Sequence, residues 1–351
     1  MLLWVSIGLS DNRVSTHMKL QLTAAGLEQL PSVPNSADPV TELVASFNRI
    51  DSLSPAIARY RYLRTLRLNH NRLEELPDEL EELTELRELS LASNPLRGFP
   101  EVLTRMPYLE VLDLDCTGIE SIPDNFRPMT LKHLSLARNP LCAIPEGLFS
   151  HGGALLTLLL HQCRLKSVPS SIGRLTALQE LNLSQNQLQL LPEALTQLTE
   201  LVELHLQDNR LLTLPERIGE FTALLQLNLY GNQLTALPGS IGQLKNLERL
   251  DVSCNKLLTL PAEIDGWQAL HRLVLSENEL TSLPESFCRL PSLTHCYLQR
   301  NRLSDLPAAN CPDGLPSLQM IFISNNVFPR NWIAPAPYQK GLRQDDSGRI
   351  L

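Results

Sequence analysis

A pattern of leucine, asparagine and proline returns at a fixed interval along the 351 residues of this chain. Its clearest copy runs from Leu178 to Pro192 and reads L-x-x-L-x-L-x-x-N-x-L-x-x-L-P. Five further segments carry the same pattern: Leu201–Pro215, Leu224–Pro238, Leu247–Pro261, Leu270–Pro284 and Leu293–Pro307. A fixed period of roughly 20 to 50 residues is the signature of a protein built by stacking one structural unit.

Each unit is marked here by its asparagine-type position, which we call the ladder position. The ladder positions are Ala25, Asn48, Asn71, Asn94, Thr117, Asn139, Cys163, Asn186, Asn209, Asn232, Asn255, Asn278, Asn301 and Asn326. Successive ladder positions are 23 residues apart, except for single steps of 22, 24 and 25 residues. A proline follows six residues later in 12 of the 14 units, so the register holds over nearly the whole chain.

The repeated residues predict a local structure for each unit. The L-x-L segment has the period of a strand, with both leucines on the inner side. The asparagine amide both donates and accepts hydrogen bonds, so stacked asparagines form a ladder between neighbouring units. The proline ends the strand segment because it lacks a backbone donor, and a short helical or 3₁₀ turn follows on the opposite side. One unit cannot bury its own apolar face, so stability comes from stacking.

The L-P-x-x-[IL]-x-x-L portion, as in Leu237–Leu244, resembles the intracellular, Ras-suppressor-like class of leucine-rich-repeat proteins. The resemblance implies an α/β solenoid of about 13 or 14 repeats, curved like a horseshoe. Its parallel β-sheet lines the concave face and its helical or 3₁₀ turns the convex face. We predict an N-terminal extension or cap over residues 1–18, the solenoid over 19–326, and a C-terminal cap and tail over 327–351.

Composition narrows the possible functions. The net charge is −8, which disfavours nucleic acid because phosphate binding needs clustered Lys and Arg. No apolar run approaches the roughly 18 residues of a membrane span. The seven cysteines are an odd number and form no C-x-x-C pair, which indicates reduced thiols and a cytoplasmic location rather than a disulfide framework or a structural zinc site.

The outward strand positions lie six, four, two and one residues before each ladder position, and they line the predicted concave face. Residue types vary freely there, whereas the inner columns are almost all Leu, so we expect a protein-binding face. The candidate binding residues on it are Asp113, Asp115, His161, Asn182, His205, Asn228, Tyr230, Asp251, Tyr297 and Phe322.

Three patches of this face each have two interpretations. Asp113 and Asp115 form an acidic pair that receives a partner's Lys or Arg, or a solvated pair flanked by Arg138. The cluster around His205 and Tyr230 supplies binding anchors, or it is an ordinary polar strand face. A third patch near the C-terminal end is either a hydrophobic contact site or a cover for the last repeat, and it consists of Val274, Tyr297 and Phe322.

Catalytic and metal chemistry have little support in the sequence. His161 and Ser184 lie on neighbouring strands, but the nearest acid of that column, Asp115, is about 10 Å from His161, too far for a triad. His161 and His205 are two repeats apart and His133 is offset along its strand, so we expect no metal site and no cofactor. We therefore predict that the chain is not an enzyme.

The resemblance implies a non-enzymatic module that binds a protein partner on its concave face, as part of intracellular signalling. By family analogy the partner is a small GTPase or a kinase or phosphatase subunit. Two alternatives stay open. The chain is a bacterial effector secreted into a host cell, or it is the repeat region of a larger repeat-kinase or ubiquitin-ligase protein.

Overall fold

The computed structural model describes residues 5–6, 17–32, 39–150, 153–307, 314–339 and 341–342. The chain divides into two compact units, Met1–Arg164 and Leu165–Leu351, and each unit is described by itself. The boundary lies one residue after Cys163, which is one of the three ladder positions that are not asparagine.

The first unit contains an antiparallel strand pair followed by parallel strands. β1 pairs with β2 in antiparallel fashion, Val5 opposite Leu20, and so covers the open edge of β2. From β2 onward each strand pairs in parallel with the next. The strands are β1 (Val5–Ser6), β2 (Met18–Gln21), β3 (Val40–Val44), β4 (Thr65–Arg67), β5 (Glu88–Ser90), β6 (Val111–Asp113), β7 (His133–Ser135) and β8 (Thr157–Leu159).

The second unit contains seven parallel strands, one from each repeat. Equivalent residues of successive repeats face each other in register, for example Leu204 opposite Leu227. The strands are β9 (Glu180–Asn182), β10 (Glu203–His205), β11 (Gln226–Asn228), β12 (Arg249–Asp251), β13 (Arg272–Val274), β14 (His295–Tyr297) and β15 (Met320–Phe322). Their central residues are buried, because the L-x-L pattern places them on the inner side.

Short 3₁₀ helices form the opposite side of the repeats, as predicted. Most begin directly after the repeat proline, whose backbone is extended, and they bury an apolar residue such as Leu80 or Ile172. In the first unit they span Pro55–Arg59, Asp78–Glu82, Glu101–Arg105 and Glu146–Phe149. In the second unit they span Ser170–Arg174, Glu193–Gln197, Ile218–Glu220, Gly239–Gln243, Ala262–Gly266 and Glu285–Arg289.

The asparagine ladder is present as predicted. Asn209 shows its bonding: Nδ2 donates to the carbonyl oxygens of Leu183 at 2.9 Å and Leu206 at 3.0 Å, and Oδ1 accepts from the Leu188 N–H at 3.1 Å. Each asparagine thereby satisfies buried backbone groups of its own and the preceding repeat. Thr117 replaces part of this bonding, since its hydroxyl donates to the Leu114 carbonyl at 2.8 Å.

The residue before each ladder position has a left-handed backbone, a feature that the sequence analysis did not predict. Its φ angle is +56° at Asp208 and +66° at Gly231, and the corresponding residue has a positive φ in all fourteen repeats. Side chains with a Cβ rarely adopt this conformation. It persists here because the residue's own backbone N–H donates to a carbonyl of the next repeat, as Asp208 donates to Tyr230 at 2.8 Å. The ladder asparagine that usually follows adds further hydrogen bonds, and together they outweigh the local strain.

The C-terminal segment packs onto the preceding repeats through an aromatic side chain. Helix α1 (Ala336–Gln339) carries Tyr338, which is fully buried, stacks 6.4 Å from Phe287 and donates its hydroxyl to the Pro307 carbonyl at 2.8 Å. The expectation of reduced thiols was wrong for Cys288, which is disulfide-bonded. The second cysteine of that bond, like the whole insertion at 308–313, lies outside the described residues.

Candidate functional site

The predicted outer strand face exists in both units, and its side chains are only partly buried. Nine of the ten candidate binding residues have intermediate burial, and Tyr230 is exposed. Partial burial is expected where side chains stand on a sheet whose opposite side is the core. The candidate residues are therefore within reach of a partner, but their surroundings differ in ways that separate structural roles from binding roles.

Three of the candidates hold the ends of their own strands. The side-chain oxygens of Asn182, Asn228 and Asp251 each accept a hydrogen bond from the backbone N–H two residues later, at 2.9–3.1 Å. That N–H lies where the strand ends, so it needs a side-chain acceptor. Part of the polarity at this position is therefore required by the fold, whatever the partner is.

Asp113 and Asp115 belong to the same kind of network in the first unit. Asp113 accepts from the Asp115 N–H at 3.1 Å, and Asp115 accepts from the Ala137 N–H at 2.8 Å and from the Ser135 hydroxyl. Burial raises the pKa of the Asp115 carboxyl, the Ser135 hydrogen bond opposes this rise, and the nearby Asp113 charge adds to it. The pair is largely occupied by intramolecular hydrogen bonds.

Arg138, which the sequence placed beside this acidic pair, donates instead to the Gln162 side chain at 2.9 Å. His161 also lies in the first unit, and a positive charge on its imidazole lowers the pKa of the Asp115 carboxyl slightly. In the second unit the Ser184 hydroxyl donates to Asn182 Oδ1 at 2.7 Å, so it is engaged within its own strand.

The second unit has a shallow depression of about 160 Å³ on the strand face. It brings together three of the predicted residues, namely His205, Asn228 and Asp251. Two further lining residues, Arg249 and Arg272, were missed by the sequence analysis. They stand six residues before their ladder positions, a column that had been assigned to the outer face but not searched for binding residues. These two arginines lie opposite each other on neighbouring strands and add positive charge to a face of otherwise mixed polarity.

An aromatic stack borders the depression. The rings of Tyr297 and Phe322 lie 5.0 Å apart and nearly parallel, with 11° between their planes. The guanidinium of Arg272 lies over the Tyr297 ring, 4.5 Å from its centroid. The structure thus places a cation, two stacked rings and the neighbouring Val274 on adjacent strands. This arrangement offers an apolar surface with a charge at its rim, as at many protein interfaces.

One group of possible metal ligands, which the sequence analysis did not predict, comes together in the second unit. Ligand atoms of Glu180, Glu203 and His205 all lie within 4.8 Å of one another. The sequence analysis compared only histidines, whereas the two glutamates come from the column six residues before the ladder position. Glu180 and Glu203 are directly opposite each other on β9 and β10.

The sequence comparisons identify the repeat family. Two segments, residues 38–96 and 245–303, match the family described as leucine rich repeat, and residues 151–257 match a leucine-rich repeat region. No curated protein sequence matches the chain. A solved leucine-rich-repeat protein of Leptospira interrogans is 30% identical, with a TM-score of 0.78 over 89% of this chain and 91% of that one. The chain therefore belongs to the leucine-rich-repeat family.

Two further structures show the range of proteins with this fold. YopM, a leucine-rich effector protein from Yersinia pestis, is 28% identical with a TM-score of 0.66, covering 88% of this chain and 78% of that one. The plant peptide hormone receptor RGFR1, in complex with RGF2, is 29% identical with a TM-score of 0.68 over 82% of this chain. The chain spans about half of that receptor, 52%.

The predicted fold class, a leucine-rich-repeat solenoid with parallel strands and short 3₁₀ turns, is confirmed. This family and fold typically provide non-enzymatic surfaces for protein–protein interaction, and the chain has the corresponding surface. Within the described residues, the structure has no helix of the length and apolarity needed to cross a membrane.

Proposed function

We propose that the outer strand face of the second unit binds a protein partner at the depression beside the aromatic stack. The observation that carries this proposal is the convergence of Arg249, Arg272 and Tyr297 with a concave surface on adjacent strands. Such a surface fits a partner segment that presents a carboxylate next to an apolar or aromatic side chain. His205 and Tyr230 extend the same surface toward β10 and β11.

We infer that the complex serves intracellular signalling and that the chain is of the Ras-suppressor-like class. The L-P-x-x-[IL] repeats support this class, and a small GTPase or a kinase or phosphatase subunit is the partner by family analogy. The exposed thiols of Cys116 and Cys142 are compatible with a reducing cytoplasm. The disulfide at Cys288 is the one observation that weighs against that location.

A second function is favoured by a specific likeness. The 28% identity to a Yersinia pestis effector over most of both chains supports a bacterial effector that acts inside a host cell. Such a protein would use the same strand face for a host protein. The two proposals differ in where the partner is found and not in which surface binds it.

The test is affinity capture followed by mass spectrometry, with lysates of the source cell and of a host cell in parallel. The bait variants are wild type, Arg272→Glu on the strand face and Lys245→Glu as the matched control. Lys245 is exposed and follows the 3₁₀ helix on the opposite side, so its charge reversal leaves the strand face unchanged. Circular dichroism verifies that all three baits are folded.

We expect one protein to be captured by wild type and by Lys245→Glu and to be lost with Arg272→Glu. Capture from the host lysate alone would favour the effector. Equal capture by all three baits would show that the binding site is not on this face. Loss with Lys245→Glu alone would place it on the opposite side of the repeats.

A further inference from the structure

We propose that Glu180, Glu203 and His205 form a binding site for a divalent transition-metal ion, with Zn²⁺ as its representative. The three side chains stand on the outer face of two adjacent strands, β9 and β10. Their possible ligand atoms lie within 4.8 Å of one another. Imidazole nitrogen and carboxylate oxygen are the ligands that zinc and its neighbours in the first transition row accept together.

The strand geometry explains why these residues converge. Glu203 and His205 are two residues apart on β10, so their side chains point to the same face. Glu203 Oε2 and His205 Nε2 lie 3.2 Å apart and are hydrogen-bonded to each other. Two ligands on a tetrahedral zinc ion with bonds of about 2.0–2.1 Å are separated by roughly 3.3–3.4 Å. The two β10 ligands therefore already have nearly the spacing that a shared metal ion requires.

The third ligand comes from the neighbouring strand. Glu180 of β9 is directly opposite Glu203, and like charges in opposed positions are unfavourable. By contrast, Glu42 of the same column faces Lys19, and their charged atoms lie 2.7 Å apart. Among the described residues, no Lys or Arg lies within ion-pair distance of Glu180 or Glu203. A bound divalent cation would replace this repulsion with attraction.

The ligand set selects against other common ions. Calcium takes about six to eight oxygen ligands and magnesium keeps an octahedral shell, whereas this site offers one nitrogen and two carboxylates. Three protein ligands leave at least one coordination position for water or for a donor of a second molecule. His205 has a side-chain exposure of 23%, so that position is accessible from solvent.

The test measures zinc binding by titration calorimetry on chain that was stripped of metal with a chelator. Reactive thiols are first blocked with iodoacetamide, because cysteine also binds zinc. The variants are Glu203→Gln and His205→Ala, with His271→Ala as the matched control. His271 is an exposed histidine of the same unit that lies outside the cluster. Cobalt titrations followed by visible absorption report the coordination geometry independently.

We expect one zinc ion per chain for wild type and for His271→Ala. Because each variant removes one of three ligands, Glu203→Gln and His205→Ala should each weaken binding at least about tenfold. Tyr297→Ala alters the proposed partner surface on β14 without changing its charge and should leave zinc binding unchanged, so the two proposals fail independently. Wild-type chain that binds no zinc at about 100 μM, or variants that bind as tightly as wild type, would overturn the proposal.

Discussion

Arg272 and Tyr297 lie on adjacent strands and contact each other twice. The guanidinium carbon of Arg272 is 4.5 Å from the centroid of the Tyr297 ring, and Nη1 of Arg272 donates to the Tyr297 hydroxyl at 3.0 Å. On its other side Tyr297 stacks against Phe322. The three side chains form one continuous stack across β13, β14 and β15, so Tyr297 is the residue on which both contacts depend.

A double-mutant cycle should detect this coupling. We expect Arg272→Ala and Tyr297→Ala to be less than additive in the free energy of unfolding, with a coupling of about 0.5–1 kcal/mol, because a cation over a partly exposed ring contributes about that much. Urea unfolding of wild type, both single variants and the double variant measures it. Additive effects would show that the two side chains do not stabilise each other in solution.

The asparagine ladder predicts a ranked series at Asn209. Asn209→Ala leaves two buried carbonyls and one buried N–H without their partner, and we expect a loss of about 2–4 kcal/mol in unfolding free energy. Asn209→Thr should lose less, since the Thr117 hydroxyl shows how threonine retains one bond. Gln207→Ala, on the outer face two residues earlier, serves as the control and should change stability by less than about 0.5 kcal/mol.

Chemical denaturation gives all three values under one set of conditions. A threonine variant as damaging as the alanine variant would contradict the role assigned to the single donor. An alanine variant no worse than the Gln207 control would contradict the ladder itself.

The ladder and the strands were predictable because they follow from local periodicity. The L-x-L segment, the asparagine and the proline each act within their own repeat or the next, so one copy of the pattern contains the information. The left-handed residue before the ladder position was not predictable in this way. Residues as different as Asp208, Cys254 and Arg300 occupy it, and the conformation depends on their backbone hydrogen bonds to the next repeat as well as on those of the ladder asparagine.

The candidate site was predictable only in part, because it depends on how far side chains reach. The register of the outward strand positions correctly predicted that His205, Asn228 and Asp251 lie close together. It did not show that Arg249 and Arg272 line the same depression, nor that Glu180 and Glu203 converge on the histidine. A long, flexible side chain can contact any of several neighbouring residues. Packing and charge determine which contact forms, and the spacing of residues in the sequence does not.

The buried tyrosine of the C-terminal segment predicts that this segment is part of the stable fold. Tyr338→Ala removes a fully buried ring, and we expect a loss of about 3–5 kcal/mol. Tyr338→Phe removes only the hydroxyl, which donates to the Pro307 carbonyl and lies 3.3 Å from Cys288 Sγ, and should cost about 1 kcal/mol. Tyr62→Ala, at a ring that is 63% exposed, is the control. Thermal unfolding ranks the three, and a Tyr338→Ala variant as stable as the control would show that the segment detaches in solution.

The cysteines predict a defined labelling pattern. Because Cys288 is disulfide-bonded, denatured chain should take up five iodoacetamide groups without a reductant and seven with one. In the folded chain Cys116 and Cys142 should react first because they are exposed. Cys163 should react slowly, since burial raises its pKa to about 11 and leaves little thiolate near neutral pH. Mass spectrometry of the labelled peptides gives both results, and seven labels without reductant would show that the disulfide is absent.

Asp115 predicts a pH-dependent contribution to stability. Burial raises its pKa above the ordinary value of 3.8, so the folded chain holds this proton more tightly than the unfolded chain does. The resulting stabilisation is fully present below pH 3.8 and is lost as the pH rises through the raised value. Asp115→Asn keeps an oxygen that accepts from the Ala137 N–H but carries no charge. We therefore expect Asp115→Asn to be more stable than wild type at pH 7 and equally stable at pH 3.

Ser135→Ala should have the opposite effect on stability at neutral pH. The Ser135 hydroxyl donates to Asp115 and opposes the rise in its pKa, so removing it should destabilise the chain at pH 7 more than at pH 3. Urea unfolding from pH 3 to pH 8 compares wild type with both variants. If Asp115→Asn were instead less stable than wild type at neutral pH, the charged carboxylate would be stabilising. Its hydrogen bonds from Ser135 and Ala137 would then outweigh the cost of its burial.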